Sequence, residues 1–265
     1  MKQILVFGHK NPDTDSICSA ISFAELKNAQ GVNVIPCRLG NVSKETQFAL
    51  NHFGAEAPLF IENVNADENG KKEVILVDHN EKAQTADGIE SAKILEVVDH
   101  HKFALTTDEP LKITADTVGC TCTLIYRLFK QAGITPSKKA AGLMMSAIIS
   151  DTLLFKSPTC TTEDVEAVKE LSKICGEENY EDYGMKLLIE GTSLSDKTPE
   201  EIITIDMKEF DMNGKKVAVA QVNTVDVAGL LNTQAELEAA MNSMSEKSNY
   251  DLFVLVITDI IKAGS

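Results

Sequence analysis

"ILEVVDHHK", residues 94–102, decides how the chain is read. Residues 94–99 are strand-length and nearly continuously apolar, and they end in Asp99, His100 and His101 with no spacer. Two other segments end the same way. "QILVFG" (3–8) is followed by "HKNPDTDS", with His9, Asp13 and Asp15, and "EVILVD" (73–78) ends in Asp78 with "HNE" behind it. Such apolar runs suit parallel strands buried on both faces. In a parallel sheet these strand ends share the carboxyl edge, where open α/β folds bind ligands.

The segments between support that sheet. "SICSAISFAELKNAQG" (16–31) reads as a helix with Ile17, Ala20, Ile21 and Ala24 on one face. "VNVIPCR" (32–38) reads as a strand, and as an edge strand that could pair across a dimer. "SKETQFALNHFG" (43–54) reads as a helix capped by Ser43 and stopped by Gly54, with His52 structural. From 120 to about 190 the pattern is mainly helical, and "AAGLMMSAIIS" delivers Asp151, followed by "TLLFKSPT". The polar stretch 191–201, "GTSLSDKTPEE", reads as a linker. Beyond it, "IITIDMKEF" and "KKVAVAQVNT" flank an Asn213-Gly214 hairpin signal, then come a helix over about 225–247 and the strand "DLFVLVITDII". The expected fold is therefore α/β. A first domain over 1–190 has a mainly parallel sheet flanked by helices, residues 191–200 link, and 201–265 form a smaller α+β domain.

Each acid on the rim has a plain reading alone: Asp13 or Asp15 as a helix cap, Asp78 as a turn former, Asp99 as a hydrogen-bonded strand end, Asp151 as a solvated helix terminus. Asp151 already conflicts with the negative end of its helix dipole. Together, so many carboxylates would raise one another's pKa unless a cation neutralised them. Carboxylates mixed with imidazoles suit Mn²⁺, Co²⁺, Zn²⁺ or Fe²⁺, and the oxygen-rich balance puts Mn²⁺ first. No cysteine is expected in the cluster, and the Cys120–Cys122 pair reads as small helix-start residues. The ligands are too many for one ion; two ions about 3.5–4 Å apart and sharing a carboxylate are the natural arrangement. Such a pair acidifies a bridging water, and a neighbouring His can protonate a leaving oxygen, so the chemistry is hydrolysis of a phosphoanhydride or phosphodiester.

Composition narrows the partners. The formal net charge is -15, which argues against a general nucleic-acid binder. "MKQILVFG" does not read as a signal peptide, and the longest apolar run, "LFVLVI" (252–257), falls far short of the roughly 20 residues of a membrane helix. The six cysteines do not suggest a disulfide framework, so a reduced, cytoplasmic setting is expected.

"GHKNPDTDS", "VDHNE", "VVDHHK" and "SDTLLFKSPT", in this order, resemble the DHH phosphoesterase superfamily and, within it, the family II, manganese-dependent inorganic pyrophosphatases. The resemblance implies hydrolysis of pyrophosphate to two orthophosphates by a metal-bridged water or hydroxide in a cytoplasmic homodimer, with two Mn²⁺ (or Co²⁺) per site and Mg²⁺ added with substrate. It implies that His9, Asp13 and Asp78 hold one ion and that Asp15, Asp78, His100 and Asp151 hold the other. His101 is then the donor to substrate, Lys208 of "DMKEF" and Asn80 are substrate contacts, and Asp99 orients a histidine. The family's Ser-Arg-Lys-Lys-type pyrophosphate clamp does not occur through Ser265, so the second domain is expected to be incomplete and substrate binding weakened. Each lost charge-assisted hydrogen bond is worth roughly 1.5–3 kcal/mol. The rivals are a DHH-type phosphodiesterase for short oligonucleotides or cyclic dinucleotides, although no "GG" occurs, and a catalytically impaired metal-binding protein.

Overall fold

The computed structural model describes residues 3–68 and 70–262. The expectation attached to the chain's end at Ser265 lies outside the described residues. The chain divides into two compact units, Met1–Leu187 and Leu188–Ser265.

The first unit runs β1 (Ile4–Phe7), α1 (Thr14–Ala29), β2 (Val34–Arg38), α2 (Lys44–His52), β3 (Leu59–Phe60), β4 (Glu73–Val77), β5 (Lys93–Asp99), β6 (Lys112–Ala115), α3 (Thr121–Ala132), α4 (Lys138–Asp151), α5 (Thr162–Cys175) and α6 (Tyr180–Gly191), which continues past the division. The strands form one sheet in the order β3-β2-β1-β4-β5-β6, every pairing parallel. The chain steps one way from β1 to β2 and the other way from β4 to β5, so β1 and β4 flank the topological switch point.

The apolar runs are continuous because both faces are covered. Val6, Ile75, Val77 and Val98 enter one core, built with α1 through α5; Phe7, Val74, Leu76 and Val97 enter the other. The second core is closed by segments outside the long helices, through Val64, Ala86, Ile89 and Leu105. The helix ends follow local chemistry. Asp13, Ser43 and Ser137 cap α1, α2 and α4 through their side chains, and Thr161 with Asp164 makes a capping box on α5.

Two strands were not read from sequence. β3 has two residues and β6 four, both at the ends of the sheet, with Leu59, Phe60 and Ile113 exposed. Their presence corrects the expectation for residues 32–38: β2 is not an edge strand, because β3 pairs with it at Cys37 and Arg38.

The second unit runs α7 (Pro199–Ile202), β7 (Lys208–Met212), β8 (Lys215–Thr224), α8 (Val227–Leu231), α9 (Gln234–Ser248) and β9 (Leu252–Asp259). β8 is central, antiparallel to β7 and parallel to β9. The hairpin turn falls at Asn213 (φ 55°) and Gly214 (φ 79°), the left-handed pair of a type I′ turn. Two readings are corrected. "IITIDMKEF" does not start as a strand: Thr198 and Glu201 form a capping box with Pro199 at the first turn, and Ile202 and Ile203 are buried in this unit. The helix over 225–247 is two helices, α8 capped by Asp226 and α9 restarting at Thr233. Leu194, inside the stretch read as a linker, packs on this unit's core. Among the described residues no helix is long and apolar enough to cross a membrane.

Candidate metal centre

Because β1, β4 and β5 are neighbours, their carboxyl ends deliver the candidate ligands side by side. β1 leads through Gly8, where a side chain is impossible: a Cβ there would lie 1.8 Å from the Ser16 hydroxyl oxygen. Ser16 accepts from the His9 amide at 2.8 Å and donates its own amide to Asp13 at 2.9 Å. The start of α1 is thus pulled against the strand end. His9 Nε2 stands 3.4 Å from Asp13 Oδ2 and 3.4 Å from Asp78 Oδ2. Asp13 caps α1 and faces the cluster at once, so its capping role does not compete with its place beside His9.

Asp15 is fully buried and held by three donors: the Ser19 hydroxyl (2.8 Å), the Thr121 amide (2.6 Å) and the Cys122 amide (3.1 Å). The last two belong to the first turn of α3, where unpaired amides and the helix dipole favour an anion. Asp78 follows β4 in a left-handed conformation (φ 58°), which Asp tolerates better than most residues. Its Oδ1 accepts from the Thr121 hydroxyl at 3.2 Å, while its Oδ2, buried, has no hydrogen-bond partner among the described residues. His100 Nδ1 lies 3.0 Å from the Val118 carbonyl. That contact fixes the tautomer with the proton on Nδ1 and leaves Nε2, 3.6 Å from Asp78 Oδ1, as the basic nitrogen.

His101, half-exposed, is fixed differently. Asp99 accepts from its backbone amide (3.1 Å) and lies 2.9 Å from its Nδ1. Asp99 is itself buried and takes a 2.6 Å bond from Asn80 Nδ2. Asn80 is also buried; its remaining bonds go to the Lys102 carbonyl (2.9 Å) and the Ala104 amide (2.6 Å). Lys208 is the exposed first residue of β7 in the second unit. His79 packs against Phe7 with Nδ1 on the Val77 carbonyl, and burial pushes its pKa down to about 4.

Four groups of side chains place ligand atoms within 4.8 Å of one another: His9, Asp13 and Asp78; Asp78, His100 and His101; Asp15, His100 and Asp151; and Asp15, Cys120 and Cys122. The first three join, through Asp78 and His100, all six residues expected to hold metal. The fourth corrects the expectation that no cysteine lies at the cluster. The fold brings the start of α3 against Asp15, something the spacing of Cys120 and Cys122 from the acids could not reveal. Thr121 is the other residue the sequence reading missed, since a threonine opening a helix carries no signal of its own.

The electrostatics ask for cations. Burial, then Asp15 and Asp13, push the Asp78 carboxyl far above its ordinary range. Burial, then Asp15, Asp13 and Asp78, do the same to Asp151, and the last turn of α4 holds no basic residue to offset it. A carboxylate between two imidazoles, with one oxygen lacking a hydrogen-bond partner among the described residues and with mutually repelling acids around it, is a donor set that fits divalent ions.

These features define a DHH-type centre, and the chain matches the DHH family, N-terminal domain, over residues 3–148 and the DHHA2 domain over residues 185–265. It is 52% identical to the manganese-dependent inorganic pyrophosphatase of Bacillus subtilis (strain 168), over 100% of this chain and 85% of that protein. A crystal structure from Methanococcus jannaschii assigned to family II inorganic pyrophosphatase superposes with a TM-score of 0.72 at 42% identity, covering 98% of this chain and 84% of the other. The chain belongs to the family II, manganese-dependent inorganic pyrophosphatases. An exopolyphosphatase-related protein of Bacteroides fragilis shares the fold alone, with a TM-score of 0.60 at 18% identity over 91% of this chain and 71% of that one.

Proposed function

We propose that the chain hydrolyses inorganic pyrophosphate to two orthophosphates at a centre of two Mn²⁺ ions, with Co²⁺ as a substitute. His9, Asp13 and Asp78 hold one ion, and Asp15, Asp78, His100 and Asp151 hold the other. The observation that carries this reading is Asp78: a buried carboxylate with one oxygen unpartnered, between two histidine nitrogens. When bound, two such ions neutralise phosphoryl charge and acidify a water.

The chain's own residues do the rest. Asp15 and His100 are locked by α3 and the Val118 carbonyl, so they meet an ion without reorganising. His101 carries the proton for the leaving phosphate. Its pKa is raised mainly by the Asp99 hydrogen bond, with burial opposing, which keeps the ring a competent donor toward neutral pH. Asn80 serves by bracing Asp99 against the 102–104 backbone; with its amide spent on three protein groups, its part in substrate binding is indirect. The role of Lys208 as a positively charged substrate contact rests on the family resemblance, as do the homodimer, the cytoplasmic setting and Mg²⁺ entering with pyrophosphate.

The test is phosphate release from pyrophosphate by Mn²⁺-loaded protein, beside nucleotide release from a dinucleotide. Turnover of pyrophosphate alone is expected. Faster cleavage of the dinucleotide would reject the reading.

A further inference from the structure

The two cysteines of the fourth ligand group are not used by the reaction just described. Cys120 is the extended residue at the head of α3 (φ -159°, ψ 143°), and Cys122 stands two residues on, inside the first turn. Both are fully buried, and their sulfurs lie with a carboxylate oxygen of Asp15 within 4.8 Å of one another. Ligand atoms around a tetrahedral zinc-sized ion with metal–sulfur bonds near 2.3 Å stand about 3.8 Å apart, so this spread needs only small side-chain movements to close. Cys122 Sγ already approaches the Ser19 hydroxyl at 3.2 Å, and that hydroxyl is bonded to Asp15 at 2.8 Å. The thiols and the acid therefore form one connected polar patch, which meets the carboxylate cluster where Cys120 approaches Asp151.

We propose that Cys120, Cys122 and Asp15 form a second cation site, selective for a soft divalent ion such as Zn²⁺ or Cd²⁺, and that filling it disables the Mn²⁺ centre. This rests on the reading of Asp15 as a manganese ligand. The selectivity follows from the donors. Mn²⁺ prefers oxygen and nitrogen and leaves the thiols protonated, whereas the softer Zn²⁺ and Cd²⁺ favour thiolate. Burial pushes both thiols up, so the metal–sulfur bonds themselves must drive off their protons. Each thiol loses its proton as its bond to the metal forms, so one M²⁺ enters and two H⁺ leave, and the buried patch keeps its net charge. Asp15 serves one ion at a time in its present geometry: its Oδ1 accepts from the Ser19 hydroxyl and the Cys122 amide and its Oδ2 from the Thr121 amide, which leaves one lone pair for a metal. Drawing it toward the sulfurs takes it from the neighbouring group with His100 and Asp151.

The experiment uses the Mn²⁺-loaded protein and Cd²⁺ as probe. Thiolate-to-cadmium absorbance in the ultraviolet reports the sulfur site, and the electron paramagnetic resonance signal of free aqueous Mn²⁺ reports loss from the centre. We expect about one equivalent of Cd²⁺ to give the absorbance band and release Mn²⁺. Cys122→Ala and the double variant Cys120→Ser with Cys122→Ser should lose the band and withstand at least tenfold more Cd²⁺ before Mn²⁺ is released. Cys37→Ser, in the other core, should behave as wild type. A wild-type protein that shows no band, or one that shows the band yet keeps its Mn²⁺, overturns the proposal, and neither result depends on a variant folding. Failure of the manganese reading is separately visible as the absence of bound Mn²⁺ before any Cd²⁺ is added.

Discussion

The two ends of the ligand cluster are held in opposite ways. At one end Asp13 has a side chain 55% exposed, fixed by a single amide while it also caps α1. At the other, Asp15 is fully buried and fixed by three donors, two of them from the head of a helix. The buried end is held rigid by its donors; the open end is reached by solvent. Between them stands Asp78, whose neighbours lie on both sides.

The largest effect should come from removing that link. Asp78→Asn keeps the size and tolerates the left-handed backbone, so it isolates the charge. Loss of a buried charged partner costs about 3–5 kcal/mol, so activity should fall by about a hundredfold to a few thousandfold, and Mn²⁺ stoichiometry should drop with it. A variant within tenfold of wild type that keeps its full complement of ions would sink the bridging role.

Next in size is the metal's effect on stability, and its sign follows from the raised carboxyls. Asp78 and Asp151 have folded-state pKa values above their unfolded ones, so folding takes up protons. The metal-free protein is therefore most stable where these groups are protonated. It loses stability as pH rises above the unfolded carboxylate value and through the raised one. Mn²⁺ relieves that repulsion, by about 4 kcal/mol at an ion concentration a thousandfold above Kd. The difference in Tm between Mn²⁺-loaded and chelated protein should grow from pH 5 to pH 8. A difference that shrinks over that range would contradict the assignment of these acids as an uncompensated cluster.

The contrast between the two ends predicts unequal costs for the same substitution. In Asp13→Asn the new side chain still caps α1, since Asn is as good an N-cap as Asp. In Asp15→Asn the amide NH₂ faces either the Thr121 amide or the Cys122 amide, since each donates to a different oxygen, so a buried donor faces a donor in either flip, a cost of about 1–3 kcal/mol beyond the lost ligand. Asp15→Asn should exceed Asp13→Asn by about tenfold in kcat/KM and should also lower Tm. Equal effects would show that the rigidity of the buried end contributes nothing.

The same contrast explains what could be read from the sequence. β1, β4 and β5 were legible because burial on both faces makes them continuous apolar runs, and each acid or histidine at their ends breaks that run abruptly. β3 and β6 were not, because two or four residues on an exposed edge carry no periodicity. The supports of the buried end were invisible for another reason. Thr121 and Cys122 reach Asp15 across more than a hundred residues, through ordinary helix-start chemistry that marks no partner. Thr121→Val removes the hydroxyl that donates to Asp78 and keeps the amide that donates to Asp15. Loss of a support of this kind costs about 10–100-fold in metal affinity. Thr121→Ser should restore most of it, as measured by Mn²⁺ titration. A serine variant as weak as valine would assign the residue to packing instead.

The smallest effect should come from the Asn80–Asp99–His101 chain, which meets the ligand cluster only through His101. Asp99 raises the pKa of His101, so the protonated ring persists to higher pH than an isolated imidazole would. If His101 supplies a proton, activity declines as pH rises through that raised value. Asp99→Asn removes the anion and lowers the His101 pKa, so the alkaline limb of kcat/KM should move to lower pH. Asn80→Ala leaves the Asp99 charge in place but frees its carboxylate and the 102–104 backbone. It should therefore lower activity by about tenfold or less with a smaller displacement of the same limb. A purely structural Asp99 would lower the whole profile without moving either limb, because scaffolding changes how many molecules are competent and not the proton affinity of the ring.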